Sequence, residues 1–216
     1  MTYHSQTNQD SWLESVIFKG FRNGFFVDVG AHDGVTINNT LFFEEARGWS
    51  GINVEPIKEV FDRLLTNRPR CANLNCAISS TDGAADFILN VGHTEMLSGL
   101  EGHYDPRHRS RLLVEMESHG GSSKVISVET RRLETIFDER GVVHIHYLSI
   151  DVEGAEYDVV KSINFDKVFI DVIGFENNYG DASVPIVEYL GTKGYGVVLD
   201  GTDIIMVHQS SPFRPG

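Results

Sequence analysis

The stretch FFVDVGAHDGVTINNTLFFEE, Phe25 to Glu45, restricts the fold more than any other part of this chain. Its opening, Phe25–Val29, is apolar almost throughout rather than alternating, and reads as a parallel strand buried on both faces. Leu41–Ala46 reads as a helix, with Leu41, Phe42 and Ala46 able to share one side. Between them lie Gly30 and Gly34, which let a backbone turn sharply and come close to a ligand. Strand, glycine loop and helix in that order make a small-molecule site at the carboxyl end of an α/β sheet.

The rest of the chain repeats the alternation. Strands are expected at Phe25–Gly30, Gly51–Glu55, Ala72–Ile78, Ala85–Asn90, Lys124–Glu129, His146–Asp151, Val168–Phe175, Gly196–Asp200 and Asp203–His208. Helices are expected at Gln9–Phe18, Asn39–Ala46, Lys58–Thr66, Arg132–Glu139, Ala155–Ser162 and Val184–Gly191. Such a pattern predicts a doubly wound, mostly parallel sheet covered on both faces. Asp200-Gly201 between two apolar runs is a hairpin signal, so the sheet is expected to end in an antiparallel pair. A single domain over 1–216 is expected, with an N-terminal helical segment at about 1–22 and an insertion at about 91–123. The insertion, Val91–Ser123, holds four of the nine histidines, has little apolar periodicity, and reads as a lid or binding loop.

The glycine loop is not a dinucleotide fingerprint. Its spacing, Gly30-Ala31-His32-Asp33-Gly34, misses GxGxxG, and Asp28 and Asp33 would oppose a diphosphate. They suit a ligand with a cationic or neutral face, and S-adenosylmethionine, with a sulfonium and no phosphate, has that charge. GINVEP ends the next strand in Glu55, and Pro56 stops the ladder. A carboxylate at that tip can accept both hydroxyls of an adenosine ribose. Further along, IDVEGAE places Asp151 and Glu153 at a strand's carboxyl end, and VFIDVIGFENNYG brings Glu176, Asn177 and Asn178 to the same edge. Acids so placed can hold a substrate, take a hydroxyl proton or bind a divalent cation. Structural capping is the plainer role for Asn177 and Asn178.

Composition excludes several classes. A formal charge of −13 argues against nucleic acid as a partner, and RHRSR at Arg107–Arg111 is the one candidate basic patch. No apolar run approaches the ~20 residues of a membrane helix, and the polar start MTYHSQTNQDSW has no secretory h-region. Cys71 and Cys76, five apart in an apparent strand, point to opposite faces and read as core thiols of a reducing cytoplasm.

SQTNQD, FVDVGAHDGVTINNT, GINVEP, NCAIS, MLSGL and IDVEGAEYDVV, in that order, resemble the FkbM-type S-adenosylmethionine-dependent methyltransferases. The resemblance implies a Rossmann-like methyltransferase fold and methyl transfer to oxygen, often a hydroxyl of a sugar or natural product. It implies that Asp28, Gly30, Ala31 and His32 line the methionine part of the cofactor, Glu55 the ribose and Ala77 the adenine, with Pro56 also among the cofactor-binding residues. Family members often carry Lys two residues before the IDVEG aspartate, where this chain has Ser149.

Asp151, Glu153 and Glu176 are the candidate catalytic residues, with His32, His103 and His146 as competing bases. A divalent ion such as magnesium on Asp151 with Glu176 or Asn177 would lower the acceptor hydroxyl's pKa, in an arrangement similar to the metal sites of catechol O-methyltransferases. The expected partner is a small-molecule or carbohydrate acceptor. The competing reading is a catalytically silent cofactor- or glycan-binding module of the same fold, which has no need to retain Glu55, Asp151 and Glu176 together.

Overall fold

The computed structural model describes residues 2–215, so Met1 and Gly216, the outermost residues of the expected domain, lie outside it. In chain order the strands begin with β1 (Phe25–Val29), β2 (Ser50–Val54), β3 (Ala72–Leu74), β4 (Ala77–Ile78), β5 (Gly83–Val91) and β6 (Gly99–Leu100). They continue with β7 (Ser122–Arg131), β8 (His144–Ile150), β9 (Phe169–Glu176), β10 (Tyr195–Asp200) and β11 (Asp203–His208). The helices are α1 (Gln9–Trp12), α2 (Leu41–Arg47), α3 (Lys58–Asn67), α4 (Pro106–His119), α5 (Leu133–Arg140), α6 (Glu156–Lys161) and α7 (Val184–Thr192). Wider π-type turns carry α1 on through Leu13–Phe18.

Seven strands form one sheet in the order β10-β11-β9-β8-β1-β2-β3. The chain winds outward from β1 through β2 and β3 on one side and through β8 and β9 on the other. The direction changes at β1, and the crevice beyond the carboxyl ends of β1 and β8 is where such sheets bind ligands. β11 runs antiparallel to both β9 and β10, slotted between them as the Asp-Gly signal implied.

Each face of the sheet is buried under helices. Val27, Val29, Leu148 and Ile150 pack with Leu133 and Ile136 of α5, Val159 and Val160 of α6, and Leu190 of α7. Phe26 and Tyr147 pack on the other face with Leu13, Ile17, Phe18 and the α2 residues Phe42 and Phe43. Fully burying one such side chain contributes roughly 1.5–3 kcal/mol, so tertiary packing rather than intrinsic propensity holds these short helices.

Two expectations fail here. Ala72–Ile78 is not one strand. The Asn75 side-chain amide donates to the Glu55 and Pro56 carbonyls at 2.9 and 3.0 Å, turning the chain so that β3 ends the large sheet and β4 begins another. β5 and β7 do not join the large sheet either. They pair antiparallel from Gly83–Thr130 to Val91–Ser122 in a second sheet, β4-β7-β5-β6, whose Phe87, Leu89 and Val128 pack over Ile57, Val60 and Ala77.

The insertion also differs from its expected irregularity. It contains the 14-residue helix α4, capped by Asp105, whose carboxylate accepts the Arg107 amide, and opened by Pro106. Its buried side is a narrow one, Leu112 and partly buried Met116 against Leu97 and Tyr104, while Leu113 and Val114 face solvent. So thin a stripe among charged residues leaves little period to detect. Among the described residues no helix is long and apolar enough to cross a membrane.

Candidate functional site

A cavity of about 390 Å³ opens beyond the carboxyl ends of β1, β2 and β8, roofed by residues 95–100 of the insertion. Of the residues expected there, Gly30, His32, Glu55, Pro56, Ala77, Asp151, Glu153 and Glu176 line it. Asp28 and Ala31 do not. Asp28 is 3% exposed and accepts from Asn38 Nδ2 at 2.9 Å and Thr40 Oγ1 at 2.8 Å, and its burial raises its pKa. Its carboxylate holds the loop to the start of α2. Fully buried Arg68 completes that network, donating to the Gly34 carbonyl and Asn38 Oδ1 at 3.0 Å each and pairing with Glu44. Ala31 is buried, its amide on the Val54 carbonyl at 3.0 Å. Asp33 turns back to accept the amides of Val35 and Thr36. The loop's acids therefore build the loop.

At the tip of β2, Glu55 is 5% exposed and its Oε1 accepts the Ile57 amide at 2.7 Å. Burial pushes its pKa up to about 8. Ile57, Ala77, Ile78, Phe87 and Leu100 form an apolar wall beside it. A buried carboxylate next to an apolar slot matches a nucleoside, with its ribose hydroxyls on the acid and its base in the slot. Phosphate has no comparable seat, since six carboxylates line the cavity (Glu55, Glu95, Asp151, Glu153, Glu176 and Asp203) against, among the described residues, one guanidinium, Arg111.

Asp151, Glu153 and Glu176 converge, their nearest ligand oxygens within 4.8 Å of one another. Asp151 is exposed, its carboxylate opening onto the cavity. Desolvation first, then the charges of Glu156, Asp203 and Asp28, lift its pKa to about 7. Desolvation and the neighbouring Asp151 lift Glu176 to about 9, and its Oε2 has no donor. Glu153 is also raised, by burial and then by Glu176 and Asp151, and holds a left-handed backbone, φ +58°. Strain of that kind in a non-glycine residue collects at functional sites.

His108, on α4, explains the state of Glu153. Its Nε2 lies 3.2 Å from the Leu97 carbonyl, an acceptor only, so that nitrogen carries the proton. Burial lowers the His108 pKa, keeping the ring neutral. Nδ1 is then a bare acceptor, 3.2 Å from Glu153 Oε2. A protonated Glu153 can donate to it, whereas an ionised one would face a lone pair.

Several neighbours were not singled out from the sequence. Glu95 accepts from His32 Nε2 at 3.0 Å and pairs with Arg63, tying the insertion to the glycine loop. Thr7 Oγ1 donates to Asp203 Oδ2 at 2.6 Å, so the N-terminal segment reaches the hairpin at the cavity's rim. SQTNQD contains Thr7 and Glu95 directly precedes MLSGL, but a lone Glu or Thr has no spacing that marks it.

Other candidates are committed elsewhere. The Asn177 amide donates to the Gly201 carbonyl at 2.9 Å and accepts from Ser183 Oγ at 2.7 Å, so it fixes the loop and is not presented to a metal. His103 pairs with Asp158 at 2.9 Å in an adjoining groove. His146 sits near the amino end of β8, away from the cavity. Ser149, where a lysine is common, is buried and accepts from Asn39 Nδ2 at 3.3 Å. Arg107 of the basic patch bridges Asp105 and Asp181, and Arg111 pairs with Glu115. Cys71 and Cys76 are both free thiols, their pKa values pushed by burial to about 11 and about 12.

Solved structures align with the chain at low identity. The methyltransferase FkbM from Methylobacillus flagellatus KT aligns with a TM-score of 0.52 and 12% identity over 86% of this chain. The chain spans 44% of that protein's length. A TehB-like SAM-dependent methyltransferase from Corynebacterium glutamicum aligns at 0.45 and 8% identity, covering 93% of this chain and 87% of that one. The human methyltransferase 10 domain containing protein aligns at 0.45 and 11%, covering 96% and 82%. No curated protein matches the sequence. The methyltransferase FkbM domain matches residues 28–199, from the end of β1 into β10, and the chain belongs to that family.

Proposed function

We propose that this chain transfers a methyl group from S-adenosylmethionine to a hydroxyl of a sugar, glycan or natural product. The observation that carries the reading is the convergence of Asp151, Glu153 and Glu176 at the rim of a cavity that already holds a ribose-type acid, Glu55. When bound, the cofactor supplies an electrophilic methyl on a sulfonium. Glu55 and Pro56 would hold its ribose, Ala77 and Phe87 its adenine, and Gly30 and His32 its methionine portion.

The chain's own contribution is orientation and a proton acceptor. Asp151, with a pKa about 7, is an acid tuned close to neutral pH, where general-base efficiency is best. It accepts the acceptor's hydroxyl proton as the oxygen–methyl bond forms. Glu153, held neutral by burial and His108, adds no charge that would raise Asp151 further. The insertion closes over the acceptor side, and alignment of the reacting groups supplies a further ~7 kcal/mol or more in favourable systems.

A second reading adds a divalent cation on the same three carboxylates. The unpaired Oε2 of Glu176 and the convergence of the three acids favour it, and all-oxygen ligands suit magnesium. The test combines calorimetry of S-adenosylhomocysteine with labelled-methyl transfer to a panel of sugars, with and without chelator. Binding without transfer to any hydroxyl would reduce the reading to cofactor binding. Turnover indifferent to chelator would remove the cation.

A further inference from the structure

A second convergence lies at the opposite edge of the sheet. Among the described residues the ligand atoms of His144, His146 and Asp171 also come within 4.8 Å of one another. They sit near the amino ends of β8 and β9, five to seven residues back from Asp151, or roughly 16–23 Å along the strand.

Local geometry sets these three apart from ordinary strand residues. The ladder pairs Ile145 with Ile170 and Tyr147 with Val172, but skips His146 and Asp171 between them. Ile145 and Ile170 belong to the core on one face, Tyr147 and Val172 to the core on the other. Residues two apart on an unbroken strand face the same way. Both strands therefore turn over at His146 and Asp171, an irregularity of the kind that re-aims side chains.

The buried carboxylate is incompletely compensated. Asp171 is 0% exposed, its Oδ2 lies 2.7 Å from His144 Nε2, and its Oδ1 has no partner. A carboxylate removed from water in this way calls for a cation. His144 is partly open to solvent, which gives an ion a way in.

The geometry points to a transition-metal site formed by His144, His146 and Asp171, separate from the methyl-transfer cleft and suited to zinc or cobalt(II). Two imidazoles and one carboxylate are borderline ligands that suit such ions better than magnesium. Bonds of about 2.0–2.1 Å in a tetrahedron place ligand atoms about 3.3 Å apart, so the His144–Asp171 contact opens slightly while the wider separations close. A fourth position remains for water or for a side chain from another molecule.

Proton bookkeeping adds a second readout. His146 Nδ1 accepts the Phe25 amide at 3.0 Å, which leaves the ring's proton on Nε2. Coordination through Nδ1 displaces that amide. Coordination through Nε2 moves a proton to Nδ1, which then can no longer accept. Either way Phe25 N–H loses its partner, and its hydrogen exchange quickens when the ion binds.

The test titrates the full chain with cobalt(II), following visible ligand-field bands, and repeats the titration in competition with zinc. One ion per chain is expected, with four-coordinate bands and faster exchange at Phe25. His144→Ala, a change at a partly exposed position, should weaken binding by more than about a hundredfold, beyond the 10–100-fold typical of outer-shell losses. Asp171→Asn should do the same. No saturable binding, or binding unchanged in His144→Ala, overturns the site. So does binding that is lost in Glu176→Gln but kept in His144→Ala, because the ion then belongs to the catalytic carboxylates.

Discussion

A Cβ atom at position 30 would lie 1.8 Å from the carbonyl oxygen of Asp151. Gly30 and Asp151, 121 residues apart in sequence, thus bring the exits of β1 and β8 into contact, and the cleft depends on that contact. Gly30 also has φ +89°, where an L side chain is strained. Gly30→Ala is expected to cost about 3 kcal/mol or more in urea unfolding. A stability within ~0.5 kcal/mol of the parent would mean that the loop can relax away from Asp151.

Glu55→Ala is expected to weaken S-adenosylhomocysteine binding by ~1.5–3 kcal/mol, the scale of a lost charge-assisted contact. Hydroxyl donors favour the ionised acid, so binding pulls its pKa down from about 8 and releases a proton below that pH. Affinity should rise from pH 6 to 8 in the parent and stay flat in Glu55→Gln. A slope shared by both proteins would place the titrating group elsewhere.

Stability should depend on pH in the opposite sense from that of a salt-bridged acid. Glu176, shifted from an ordinary 4.5 to about 9, binds its proton more tightly folded than unfolded. Stability is therefore fullest below the ordinary value and is lost as pH rises toward 9. Glu176→Gln should flatten that decline and raise Tm at pH 9 by at least about 2–4 °C, the shift ~1 kcal/mol produces in a chain of this size. Parallel Tm curves for the two proteins would contradict the raised pKa.

Arg107 joins Asp105 at the start of α4 to Asp181 in the loop after β9, and lies over the Tyr179 ring at 4.5 Å. Arg107→Ala should loosen the insertion, raising acceptor KM with little change in cofactor affinity. Equal loss of both would mean that Arg107 also holds in place the insertion's cavity-lining residues, Glu95 to Ser98 and Leu100.

The large sheet was legible because its evidence is local. β1 (FFVDV) and β9 (FIDVIGFE) are mostly apolar runs, and Asp200-Gly201 marks the hairpin by itself. β5 and β7 misled because short apolar stretches such as FIL and VISV name a strand without naming its partner. The site divided along the same line. Strand-end acids Glu55, Asp151 and Glu176 could be found from where the runs stop. Asp28 could not be told from them, because only the folded loop shows that Asn38 and Thr40 occupy its oxygens. His108 was hidden for a further reason: its partner Glu153 lies 45 residues on, across the insertion.

Labelled-methyl transfer by Asp151→Asn, run beside the parent from pH 6 to 9, bears most directly on the proposed chemistry. Parent turnover should rise with pH through about 7, as Asp151 loses its proton. Asp151→Asn keeps shape and hydrogen bonding, so S-adenosylhomocysteine affinity should hold while turnover falls ~10²–10⁴-fold and the rise near 7 disappears. Full turnover in Asp151→Asn with the same pH profile would contradict the role assigned to this carboxylate.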